Sequence, residues 1–254
     1  PRLSDALRAV RIEAARVFSI IPRAYMSQAA AAAFDAALEE FYVGQQELSD
    51  QPGAHLALGA VYGNLGQFEK SIEEYRTAIR LDDEFVPARI NLALLYNFQA
   101  KNDEAEKLLR EAIQLAPELP DAHYYLGLLL AEDEAKLAEA VDSLGKAAEL
   151  SPEHARIRYH SAVALQQLGR NSEAAVQYQQ ALEQDPNDPD LYQAIIALYV
   201  QQGRLDDAIR YAQIRAAQFP GDRQFMGQLQ FLMQQRAAAN QGNGHVGPQP
   251  PPGR

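Results

Sequence analysis

Five histidines, a scatter of adjacent acidic pairs and no cysteine are the raw material from which this 254-residue chain could build chemistry. Histidine titrates near neutral pH and serves as general base or metal ligand, but either role needs partners at fixed spacing. No H-E-x-x-H run, no Gly-rich phosphate loop and no G-x-S-x-G elbow occurs. The lack of Cys removes disulfides, thiolate metal sites, a Cys nucleophile and C-x-x-C-H haem attachment from this stretch. His55 and His123 fall at one recurring position, which packing explains, His154 at a turn and His245 in a Gly/Pro-rich end. His160 alone sits where a ligand could reach it. Glu73-Glu74 and Asp206-Asp207 read as solvated charge on outer helix faces. No catalytic constellation emerges, and no cofactor is implied; the chain reads as a non-enzyme.

The elements that position these side chains repeat every 34 residues. Gly59, Ala93, Gly127, Ala162 and Ile196 keep that step, with one slip of a single residue between Gly127 and Ala162. Ala78, Ala112, Ala147 and Ala181 form a second series; Pro117, Pro152, Pro186 and Pro220 a third. Counting from 52, 86, 120, 155 and 189, slots 8, 20 and 27 are small, so two helices can approach closely, while slots 7, 11 and 24 are bulky. Gly66, Gly169 and Gly203 occupy slot 15, where a left-handed turn between helices suits glycine. Proline at slot 32 ends the second helix. The third repeat lacks the Gly turn and carries its extra residue between Leu130 and Ala140, which predicts a longer connection there. The fifth departs further, with Ala212 in a bulky slot and Arg215 in a small one.

On these residues the chain resembles the tetratricopeptide repeat (TPR), a helix–turn–helix unit that stacks into a solenoid. The resemblance implies an all-α fold, a right-handed superhelix with five repeats at 52–85, 86–119, 120–154, 155–188 and 189–222. Residues 4–21 predict an amphipathic helix capped by Ser4 or Asp5, with Leu7, Val10, Ala14, Val17 and Ile21 on one face, whose Leu7, Val10, Val17 and Ile21 stripe is expected to be exposed. Asp5, Val10, Arg11, Ala14 and Ala15 resemble the second helix of a HEAT repeat, so 1–24 reads as a truncated repeat of that kind or as a generic capping helix. Residues 25–51 read as an Ala-rich adaptor or half repeat. Residues 223–237 predict a capping helix with Phe225, Leu229 and Leu232 inward. The Gly/Pro-rich remainder, 238–254, predicts a disordered tail.

TPR proteins usually bind other proteins and do no chemistry, which makes the groove lined by first helices the candidate site. Its expected lining includes Asn91, Asn97, Phe98, Tyr124, Tyr125, Arg156, Tyr159, His160, Gln166, Gln167 and Gln193. Aromatic and amide side chains suit an extended peptide, the rings for contact area and the amides for its backbone. Asn91 and Tyr124 also belong to the bare repeat pattern. The carboxylate clamp that some relatives use on chaperone tails is absent, since Leu56, Ala60, Asp121 and Tyr125 stand where it needs other residues.

A formal charge of −11 and the lack of a basic cluster beyond Arg8, Arg11 and Arg16 argue against nucleic acid. No apolar run is long enough to insert in a membrane. The expected partner is a protein or peptide, and the exposed face of the first helix offers a route to self-association. The chain opens at Pro1-Arg2, as expected of the C-terminal part of a larger bacterial protein. Residues SDALRAVRIEAARVF, GAHLALG and FVPARINLALLY resemble the HEAT-like and TPR end of bacterial multihaem cytochrome-type proteins. That resemblance implies a periplasmic parent, and its failure a cytoplasmic one. Two rival readings are an accessory segment of a protein glycosyltransferase and a homo-oligomerisation module.

Overall fold

A computed structural model describes residues 7–243, and among them every regular element is helical. The residues pack as two units, one through Asp133 and one from Glu134.

The first unit holds α1 (Arg8–Phe18), α2 (Gln28–Gln46), α3 (Pro52–Asn64), α4 (Phe68–Leu81), α5 (Val86–Phe98), α6 (Asn102–Leu115) and α7 (Pro120–Leu130). Helices α3 with α4 and α5 with α6 form hairpins, and α4 and α6 pack on the helices that follow them. The pairs close because small residues meet large ones: a Cβ on Gly59 would stand 2.5 Å from the ring of Tyr75. Ser71 lies in the same seam and donates its hydroxyl proton to the Gly59 carbonyl at 2.7 Å.

The second unit holds α8 (Leu137–Leu150), α9 (Ala155–Gln167), α10 (Asn171–Gln184), α11 (Pro189–Gln201), α12 (Leu205–Gln218) and α13 (Arg223–Asn243). Its core repeats the same exchange, with Ala162, Ala174, Ala181 and Ala208 fully covered beside buried Leu165, Tyr178, Ile195 and Ile196. A 3₁₀ turn at Glu134–Lys136 precedes α8, where the inserted residue was expected.

The turns follow backbone chemistry. Gly66, Gly169 and Gly203 have φ of 72°, 78° and 71°. At the same slot of the second repeat stands Ala100 with φ 58°, so a non-glycine residue holds the left-handed position. In all four cases the next amide closes the turn, as Gln67 on Tyr62, Lys101 on Tyr96, Arg170 on Leu165 and Arg204 on Tyr199, at 2.8–2.9 Å. The helices α6, α8, α10 and α12 stop two residues before a proline. The residue preceding each proline is pushed to φ between −127° and −138°, out of the helical region.

The ends depart from expectation. Ser4 and Asp5 lie outside the described residues, and α1 begins at Arg8 with Leu7 as its cap. Helix α1 docks through a different stripe: Ala15 and Phe18 pack with Phe34 and Ala37, and Ile12 joins Phe41, Leu58 and Val61. Arg11 fixes the register by donating to both carboxylate oxygens of Glu40, at 2.9–3.2 Å. Leu7, Val17 and Ile21 are exposed, as expected of that stripe, and Val10, Ala14 and Val17 line an open apolar hollow. A helix with apolar residues on two faces can bury only the one its neighbour reaches. At the other end α13 runs to Asn243, past the expected limit at 237, because Ala237–Ala239 are strong helix formers. Phe225 and Leu232 are buried. The remainder of the expected tail, 244–254, lies outside the described residues.

Candidate functional site

The first unit carries an open groove of about 510 Å³ between α3, α4 and α5. Asn91 and Phe98 line it, as the repeat register predicts, with Ala60, Asn64 and Leu94. Phe98 is 71% exposed, and its ring lies 5.2 Å from that of Phe68. Phe68, Ser71 and Tyr75 enter the groove from the second helix of the repeat, a contribution that a rule assigning second helices to the outer face misses. Burial raises the pKa of Tyr75, and hydrogen bonds from Ser71 and Asn91 offset part of that rise. Asn64 is engaged, donating to the Ser19 hydroxyl at 2.8 Å. Tyr124 and Tyr125, half-buried on α7, pack against each other with ring centroids 5.2 Å apart.

In the second unit Tyr159 sits between two rings, 5.3 Å from His160 and 5.9 Å from Tyr178. Exposed Arg156 and half-buried Tyr159 border a hollow of about 90 Å³ with Asp188, Asp190 and Leu191. Burial first, and the positive charge of Arg156 second, lower the pKa of His160. Gln167 and Gln193 are exposed.

Two of the amides expected to meet a peptide backbone already have partners. Asn97 donates to Glu132 and to Asn102 at 3.3 Å, and Gln166 donates to Gln201 at 3.0 Å. The Asn97–Glu132 and Gln166–Gln201 bonds join slot 12 of one repeat to slot 13 of the next, so these side chains tie neighbouring repeats together. The reading of Glu74 as free surface charge is corrected too: its Oε2 lies 2.6 Å from His55 Nδ1. The slot of His55 has a wider role. His55, His123 and Arg158 each bond the backbone carbonyl six residues earlier, on Ser49, Pro117 and Pro152, at 2.8–3.1 Å. Among the described residues no group of three or more potential ligands could hold a metal ion, and no helix is long and apolar enough to cross a membrane.

Family models described as tetratricopeptide repeat match residues 52–85, 86–119, 129–197 and 165–227. The chain is a tetratricopeptide-repeat protein. Among solved structures this TPR chain resembles MamA, with TM-score 0.61 at 20% identity over 68% of this chain and 94% of that one. It also resembles Pseudomonas aeruginosa pilF, with TM-score 0.60 at 21% identity over 85% and 97%. A third is YrrB, a TPR protein with an unusual peptide-binding site, with TM-score 0.58 at 20% identity over 74% and 96%. At such identities the likeness is one of fold. Among curated proteins, human protein O-mannosyl-transferase TMTC3 is 29% identical over 169 residues, 60% of this chain and 18% of that protein. Its mouse counterpart is 29% identical over 145 residues, 51% and 16%. The chain thus spans less than a fifth of the curated relatives it matches.

Proposed function

We propose that this chain, a protein-interaction scaffold by its TPR fold, binds extended segments of a partner on its inner faces, with the groove around Phe98 as an anchor in the first unit and the Arg156–Tyr159 surface as a contact in the second. The observation that carries this reading is an exposed aromatic ring over an open apolar groove that also holds an amide, Asn91. Buried aromatic and Arg anchors concentrate binding energy, while the surrounding contacts exclude water. No chemistry is assigned to the chain itself.

The test is calorimetry on the whole chain with a peptide recovered by proximity labelling. Phe98→Ala should weaken binding by about 1–2 kcal/mol. Tyr125→Ala and Tyr159→Ala report on the other contacts, and Glu69→Ala, on the exposed first turn of α4, should leave affinity unchanged. Native affinity in Phe98→Ala, with the helical circular dichroism intact, would move the interaction off this groove.

The likeness to TMTC3 favours a second reading, in which the repeats present protein substrate to a glycosyltransferase that carries them. Sequencing the complete gene decides it: a transferase domain in the same protein supports this reading, and C-x-x-C-H motifs support the cytochrome-type parent.

A further inference from the structure

A second cleft, sharing no lining residue with the groove around Phe98, opens between α4 and α6 above α5, with a volume of about 450 Å³. Its floor is apolar, built from Ile79, Leu92, Tyr96 and Leu108. Leu92 and Tyr96 are buried, so the floor is fixed by the packing of the hairpin below it. The rim is charged, with Arg76, Arg80 and Lys107 facing Glu104 and Glu111.

Two of those charges are already compensated. Arg80 lies 3.2 Å from Glu73, and Glu111 stands 3.6 Å from the buried guanidinium of Arg89. Arg76 donates to the phenol oxygen of Tyr96 at 2.8 Å, a neutral partner, and Lys107 has no carboxylate within ion-pair distance among the described residues. Arg76 and Lys107 therefore stand against Glu104 alone, a net positive rim on a chain of formal charge −11. The sequence marks this repeat as different from the others. The positions of Arg76 and Arg80 hold Arg110 and Gln114, Gly145 and Glu149, Gln179 and Glu183, and Gln213 and Ala217 in the remaining repeats.

We propose that this cleft docks an acidic segment of a partner protein that carries a leucine or phenylalanine. The apolar side chain lies on the Ile79–Leu92–Leu108 floor, and a neighbouring carboxylate pairs with Arg76 and Lys107. Exposed charges beside an apolar floor favour such a segment twice, through burial of the apolar side chain and through charge-assisted hydrogen bonds. Like-charge contact between the rim and a basic segment disfavours the alternative. The surface is distinct from the inner groove, so one chain can hold two partners, or two parts of one.

The test uses the whole chain and a displayed library of random short peptides, selected in parallel on the wild type and on the charge reversal Arg76→Glu/Lys107→Glu. Both side chains are exposed, so circular dichroism and thermal midpoint should match between the two proteins. Peptides pairing Asp or Glu with Leu or Phe are expected on the wild type and absent on the reversal. A synthetic peptide of that consensus should bind the reversal at least about tenfold more weakly in fluorescence anisotropy. It should lose affinity as salt is raised, and should not respond to Phe98→Ala. A library that yields no peptide dependent on the two side chains, or yields basic ones, overturns the proposal. So does a consensus peptide that responds to Phe98→Ala in place of the charge reversal. If the reversal instead changes the oligomeric state of the free chain in light scattering, the occupant is a second copy and the proposal is wrong.

Discussion

The guanidinium of Arg215 lies over the ring of Phe219, 3.7 Å from its centroid, at a helix position that other repeats give to alanine. The rings of Phe225 and Tyr192 stand 5.4 and 5.9 Å away, and Asp222 approaches to 3.5 Å. Arg215 is 6% exposed. A long cation therefore fills the seam where the last hairpin meets α13, and three aromatic faces take the place of the apolar contact that a small residue would allow.

Replacing Arg215 with Ala should cost about 2 kcal/mol, since it opens a cavity and strips three rings of their cation. Arg215→Lys should recover only part, because an ammonium cannot lie flat on a ring. Urea unfolding followed by circular dichroism reads both, and equal midpoints for wild type and Arg215→Ala would show that the stack contributes nothing.

Ala100 should be the easiest residue to improve. Its φ of 58° is strained for a side chain with a Cβ, and Gly66, Gly169 and Gly203 show what the slot prefers. Ala100→Gly should raise stability by about 1 kcal/mol, in contrast to the usual effect of adding glycine. The thermal midpoint measures it.

Gly59→Ala should act the other way. The added methyl meets the Tyr75 ring at 2.5 Å, so either the ring or the α3–α4 pair must shift. A loss of about 2 kcal/mol is expected. Pairing it with Tyr75→Leu should restore part of the loss, which a double-mutant cycle measures.

His160 should give the second unit a pH dependence. Its pKa is held below 6.5 by burial and by Arg156, so the unfolded chain binds the proton more readily. Its neutral state is fully favourable above pH 6.5, and stability falls as pH drops from there through the lowered value. His160→Gln should flatten that stretch. Arg156→Ala should raise the His160 pKa in an NMR titration only part of the way, because burial is the larger cause.

The repeat is legible in the sequence because its constraints are local. A left-handed turn selects Gly66, Gly169 and Gly203, and a close approach of two helices selects Gly59 and Ala162. The candidate groove is legible at Asn91 and Phe98, whose slots fix the face they occupy. It is not legible at Phe68 and Tyr75, which reach the groove from the second helix, because slot number carries no information on how far a large ring extends. Asn97 and Gln166 show a different limit: an amide looks free until the neighbouring repeat supplies Glu132 or Gln201. Arg215 breaks the size rule at its slot, and only the rings of Tyr192, Phe219 and Phe225 around it explain how.

The bonds from His55, His123 and Arg158 to carbonyls six residues earlier change what counts as one folding quantum of this chain. At those three junctions the loop leading into a first helix is held by that helix's own side chain. A boundary drawn at the start of the helix would cut each bond. The cooperative segment begins upstream, in the preceding loop, and a truncation that respects these latches must keep Ser49, Pro117 or Pro152 with the helix it serves.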